Sequence, residues 1–330
     1  TAVATAVYGL SERLLPWLVD LQRLPSAGDR LAQPLTYWNG QGALAALGLV
    51  LAAGIIATRT APLTVAAAAS TPLVGLDLYL TLSRGAIGAG LAGLAVLIAL
   101  VPTRAGLRAA VIAGGATTAA ALAALALPGI QHVDGDSTQG AAMLAILAVL
   151  AVAAAALAAK PLADRPIALA RPLATNALVA LLAATVIAAA AGGQGPAGST
   201  EAGRLVSAQS NRWVYWQVAG AVFADHPLRG IGSGAFGVEW LERRDVAESV
   251  RDAHSLYLET AAELGIVGLA ALAAFLAGTI TAATRVRAPT AVAALAAFAL
   301  HAGLDWDWEL PALSLVAILL AARVIAAAEP

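Results

Sequence analysis

Apolar residues arrive in this chain as long unbroken blocks, not at the spacing of one helical face or one strand face. Nine blocks lie at 40–57, 62–82, 86–102, 106–127, 139–159, 173–191, 264–283, 289–304 and 310–328. Each is close to the ~20 residues that a helix needs to cross the hydrocarbon layer of a bilayer. Backbone in lipid must satisfy its own hydrogen bonds, so blocks of this kind predict membrane-spanning α-helices. The opening stretch "TAVATAVYGL" is too short to span. It lacks a basic leader and a cleavage site, so it reads as the tail of a helix whose beginning is missing, in an incomplete protein.

The polar segments between the blocks sort by charge. Arg59, Arg104, Arg108, Lys160, Arg165, Arg171, Arg285 and Arg287 fall in short connections, with Asp164 the only carboxylate among them. With nine spans these connections all lie on one face, which the positive-inside rule makes cytoplasmic. The opposite face receives the longer segments: 11–39, 128–138, 192–254 and the "DWDWE" turn at 305–309. All seven Trp and all five Tyr fall on or near it. A one-sided aromatic belt follows from larger outer loops, or from a platform for sugars, whose C–H faces pack on indole rings. The expected architecture is therefore all-α: a polytopic transmembrane helical bundle of about nine full spans plus a partial N-terminal helix. Its expected parts are N-terminal transmembrane helices over 1–191, an extracytoplasmic loop over 192–254 that carries the chemistry, and C-terminal transmembrane helices over 255–330.

Composition agrees. The chain has 330 residues, 60% of them hydrophobic and 12% charged, with a formal net charge of −1. Soluble domains carry about 25% charged residues. No basic excess calls for nucleic acid. The absence of cysteine excludes disulfides and thiolate chemistry. His132, His226, His254 and His301 lack the close spacing of a zinc site.

Several outer-face motifs could carry chemistry. "GSGAFG" (232–237) spells a dinucleotide fingerprint, but no strand precedes it, so it reads as a tight turn. In "SRG" (83–85), Arg84 either snorkels to the interface or anchors an anion, and Asp77, two turns earlier, could hold it. "SAQSNRWVYWQVAGAVFADHPLRGIG" (207–232) reads as an amphipathic helix ending at His226-Pro227, with Arg212 and Trp216 on one face. It either rests in the interface or forms a basic wall over a phosphate, a task for which the planar arginine fork is suited. In "RDAHSLYLETAAELGIVGLAALAAFLAG" (251–278), His254 precedes a helix too long for one straight span, with Glu259 and Glu263 on its first turns. The positive end of the helix dipole disfavours an imidazolium there, so the ring is expected in its neutral, proton-accepting form. A structural, hydrogen-bonded histidine is the plainer alternative.

Taken together, these segments resemble the O-antigen ligase and polymerase family. His254-Ser255-x-x-Leu258, followed by Gly265, is similar to that family's histidine motif. "NRWVYWQVAGAVFADHPLRGIGSGAFG" resembles its Arg…Trp…His-Pro-Leu-x-Gly-x-Gly run, "TLSRGAIGAG" its Ser-Arg-Gly turn, and "HAGLDWDWELPAL" its late Asp-aromatic…Pro turn. "RLAQPLTYWNGQGALAALGL" is a looser match. The family places two spans between the Ser-Arg-Gly turn and the long outer loop, whereas four are expected here.

The resemblance implies a C-type glycosyltransferase-like fold and a metal-independent ligase without cofactors. It would sit in the cytoplasmic (inner) membrane with its site on the extracytoplasmic face. The donor would be a glycan on undecaprenyl pyrophosphate, and the acceptor a sugar hydroxyl on a glycan or glycolipid. His254 would assist the acceptor, while Arg84 and Arg212 would stabilise the leaving pyrophosphate. Trp216, Arg229, Arg251, Asp305 and Asp307 would contact substrate. A polysaccharide polymerase with the same site, a transporter, and a scaffold without chemistry are the other readings. The enzyme reading needs Arg84, Arg212 and His254 to converge on one outward-facing cavity.

Overall fold

The structure is a computed structural model that describes residues 1–22, 24–58, 62–191, 211–286 and 288–328, with backbone only over 182–191. Arg59, Arg287, most of the glycine-rich 191–203 stretch and residues 207–210 lie outside the described residues. Among the described residues stand twelve α-helices: α1 (Ala2–Leu14), α2 (Trp38–Thr58), α3 (Leu63–Leu80), α4 (Arg84–Leu100), α5 (Arg104–Ala126), α6 (Ser137–Ala159), α7 (Ala170–Ala191), α8 (Arg212–Asp225), α9 (Phe236–Arg243), α10 (Leu256–Arg285), α11 (Pro289–Ala302) and α12 (Pro311–Ala328). No β-strand occurs among the described residues, only an isolated bridge between Thr103 and Pro166. The protein is a polytopic helical membrane protein. A helix stands at each of the nine predicted places, four of them (α4–α7) between the Ser-Arg-Gly turn and α8. Among the described residues, six are long and apolar enough to cross a bilayer: α2, α3, α5, α6, α10 and α12. Helices α4 and α11 are shorter apolar helices. Helix α9 was not expected.

Contacts divide the chain into two compact units. The first holds Thr1–Leu181 and Pro289–Phe298. Its centre is α2, buried along most of its length. Helices that bury apolar faces in lipid gain nothing by hiding them from water, so close approach of backbones holds them together. A Cβ on Gly54 would lie 2.3 Å from Thr290, and one on Gly75 2.5 Å from Thr117, which shows how tightly these helices meet. Local sequence sets the helix starts. Ser83 accepts from Ala86 N, Thr103 from Gly106 N, and Asp136 from Gln139 N, each satisfying an amide that the first turn leaves unpaired. Two buried polar groups tie this unit together. Asp77 accepts from Gln41 Nε2 at 2.9 Å on both carboxylate oxygens. Arg13, 1% exposed, donates to the carbonyls of Ile130, Gln131 and Asp29 and so joins α1 to two loops.

The second unit holds the described residues of 182–191, 211–288 and 299–328. Val214, Tyr215, Val218, Ala219 and Val222 of α8 pack with Phe236 and Trp240 of α9 and with Val250, Ala253 and Ala262. The feature that shapes this unit is a break inside α10. Gly265 has φ 61° and ψ −157°, a conformation nearly restricted to glycine. The segment 227–232 fills the gap. Pro227 O accepts from Ile266 N (2.8 Å), while Gly232 N donates to Glu263 O (2.9 Å) and Ile231 N to Ala262 O (3.2 Å). Gly230 (φ 63°) lies so near that a Cβ there would come within 2.2 Å of the Glu263 backbone. Gly232 and Gly234 also have positive φ, as a turn at "GSGAFG" requires.

Gly265→Ala is expected to cost about 1–3 kcal/mol for the backbone conformation alone. The clash of its Cβ with Leu228, 2.5 Å away, adds to that. Thermal melting in detergent should show a clearly lower midpoint for Gly265→Ala than for Gly220→Ala, a control position where a Cβ meets open space.

Candidate active site

The second unit gathers most of the chemistry-bearing residues around α8 and the entrance to α10. His254 lies just before Ser255, whose hydroxyl caps α10 by accepting from Leu258 N. Its backbone is left-handed (φ 54°), an uncommon state for a residue with a side chain. Glu259, buried on the first turn, reaches back and accepts from Ala253 N at 2.8 Å, which fixes this tight turn. The His254 ring is half-buried, with Nδ1 3.0 Å from the carbonyl oxygen of Asp252. A carbonyl can only accept, so Nδ1 carries a proton, and in the neutral ring Nε2 is left as the acceptor. Tyr215 packs beside the imidazole, ring centroids 5.1 Å apart.

Tyr215 links His254 to Arg212, one turn earlier on α8. Its hydroxyl donates to Glu248 (2.8 Å), which Asn211 also contacts at 2.6 Å. Burial, and then that bond to Glu248, push the phenol well above its ordinary pKa, so Tyr215 stays a donor. Arg212 donates through Nη2 to Asp305 Oδ2 at 2.5 Å. The Asp305 side chain is 1% exposed and that of Arg212 25%, so a buried carboxylate holds a guanidinium that reaches the surface. Such charge-assisted bonds fix direction as well as charge. Glu263 accepts from Gly234 N (2.8 Å) and Phe236 N (3.0 Å), holding the glycine turn and the start of α9.

The remaining candidates divide. Arg251 is exposed, and its charge acts on Asp252 and Glu309. Arg229 is exposed on the segment that fills the α10 break. Trp216 is half-buried against the α8–α9 core. Asp307 is buried beside His301, with Oδ2 2.9 Å from Nδ1. Nothing in the chain pattern marked His301 as more than one of four histidines. The one trace available was the "HAGLDWD" stretch, where His301 and Asp307 lie six residues apart on either side of a turn. Arg84 opens α4 in the first unit, half-buried, straight after the Ser83 cap. Asp77, its expected holder, takes its hydrogen bonds from Gln41.

Asp252, Glu259 and Glu309 bring one carboxylate oxygen each within 4.8 Å of one another, the spacing of a cation site. Burial raises the pKa of both Asp252 and Glu309, with the charge of Arg251 opposing it.

The sequence profile described as O-antigen ligase matches residues 69–273. The chain belongs to the O-antigen ligase family. No curated protein matches it. The O-antigen ligase match takes in Arg84, Arg212, Trp216, Arg229, Arg251, His254 and the Gly265 break, whereas Asp305 and Asp307 follow it. Membership of the O-antigen ligase family makes this a membrane glycan ligase or polymerase, and implies polyprenyl-linked glycan substrates.

Two outcomes follow from the charges. Replacing Arg212 by Gln takes the guanidinium away from the buried Asp305 carboxylate, at an expected cost of about 3 kcal/mol. Arg212→Gln combined with Asp305→Asn should recover much of that loss in thermal melts, a coupling that independent sites would lack. Because folding raises the pKa of Asp252, the folded state holds its proton above the unfolded value of 3.8. Its contribution to stability is therefore full below that value and lost as pH rises through the folded pKa. Asp252→Asn should flatten the melting-temperature profile over this acidic range and raise stability above it.

Proposed function

We propose that the chain transfers a glycan from an undecaprenyl-pyrophosphate carrier to a sugar hydroxyl at the outer face of the cytoplasmic membrane. His254 Nε2 accepts the proton of the acceptor hydroxyl as its oxygen attacks the anomeric carbon of the donor. The bond from that carbon to the phosphate oxygen breaks, and the electron pair leaves with the pyrophosphate. Arg212 stabilises the charge that develops there, the kind of preorganised electrostatic help that dominates such leaving-group chemistry. Asp305 acts as a positioning residue behind Arg212. Arg229, Arg251 and Trp216 border the substrate, and Asp307 supports the turn beneath it.

The observation that carries this reading is the setting of His254. A left-handed turn holds it, its Nδ1 is committed to the Asp252 carbonyl, and it stands beside Tyr215 one helical turn from a paired arginine. A positioned general base contributes roughly 10²–10⁴-fold to a rate. His254→Ala is therefore expected to express at normal levels with an unchanged melting point and to lose glycan transfer by that factor. Polyprenyl-linked glycans extracted from cells that carry the variant should accumulate. Full-length chains on the carrier identify a ligase, single repeat units a polymerase. Unchanged carrier pools would sink the enzymatic reading.

A further inference from the structure

Within the first unit, α4, α5 and α7 leave a groove of about 740 Å³ between them. Its walls are Ala, Leu, Ile and Gly throughout, including Leu91 and Ile98 of α4, Leu107 and Gly114 of α5, and Ala177 of α7. Nothing in these walls can recognise a polar ligand, so the groove suits a hydrocarbon chain. One end is different. It is formed by Leu107, Ile167 and Ala170, each next to or two residues from a basic side chain: Arg108, Arg165 and Arg171.

The connections at that end are knitted into a small platform. Arg104 N donates to Arg165 O (2.9 Å), Ile167 N to Pro102 O (2.8 Å), Arg171 Nε to Ala99 O (3.2 Å) and Arg108 Nη1 to Lys160 O (2.6 Å). Arg104, Lys160, Arg165 and Arg171 are exposed on it. Arg108 Nε is buried without a hydrogen-bond partner. The single carboxylate there, Asp164, accepts from Ala105 N at the start of α5. Five cations thus lie in the connections at one end of an apolar groove, on the side that the basic connections mark as cytoplasmic.

We infer that this groove is a binding site for an anionic phospholipid of the cytoplasmic leaflet. One acyl chain lies along α4, α5 and α7, and the phosphate-bearing headgroup sits among Arg104, Arg108, Lys160, Arg165 and Arg171. Basic pockets between membrane helices on this face recognise anionic headgroups, each cation contributing roughly a fivefold gain in affinity. The inference does not rest on the proposed transfer reaction, because every residue it uses lies in the first unit.

The test is native mass spectrometry of the full chain, delipidated in detergent and titrated with phosphatidylglycerol, phosphatidylcholine or a polyprenyl phosphate. Phosphatidylglycerol should bind at least roughly tenfold more tightly than phosphatidylcholine. Gly114→Phe fills the groove, at a position where a Cβ meets open space, and should abolish that adduct without lowering the lipid-free melting point. Arg104→Gln with Arg165→Gln alters only exposed side chains and should remove most of the preference for the anionic lipid, which decides the matter should Gly114→Phe fold poorly. Equal binding of the two phospholipids, a retained adduct in folded Gly114→Phe, or displacement of phosphatidylglycerol by polyprenyl phosphate overturns the assignment.

Discussion

The break in α10 is the constraint on which the second unit depends. A helix interrupted at Gly265 exposes amides and carbonyls that lipid cannot satisfy. Segment 227–232 supplies the partners, donating to Ala262 and Glu263 and accepting through Pro227. That exchange locks the end of α8 and the glycine turn to the entrance of α10. Two glycines make it possible, since Gly230 and Gly265 bring backbone against backbone at distances no side chain would allow. His254, Tyr215 and Arg212 take their places from this junction.

Around it, buried carboxylates act as fixtures. Glu259 and Glu263 spend their oxygens on backbone amides, and Asp305 spends one on Arg212. A buried ion pair gives little net stability, but a carboxylate that cannot move specifies where its partner points. The consequence is a division of labour. The groups that meet substrate in the proposed reaction, His254 and Arg212, reach the surface, while the acids that aim them do not. Asp305 and Asp307 read from sequence as substrate contacts. Their burial suits a supporting role better.

The first unit follows different physics. Its apolar helices gain no hydrophobic advantage from pairing in lipid, so small residues and a few polar clamps do the work. Arg13 gathers three carbonyls from two loops, and Gln41 serves both oxygens of Asp77. Where α4, α5 and α7 meet loosely, an apolar groove opens beneath a basic rim. Arginines that looked like simple topological markers thereby acquire a site.

The sequence by itself determined the places of nine apolar helices, the turn at Gly232–Gly234 and the motif around His254. Lipid imposes a contiguous apolar stretch on every span, and positive φ selects glycine, so both leave a local trace. Only the tertiary structure decided the break at Gly265, the short helix α9, the pairing of Arg212 with Asp305 across 93 residues, and the contact of His301 with Asp307. These depend on which segments meet in space. An arginine that a distant aspartate will hold has the same neighbours in the chain as one that merely faces water.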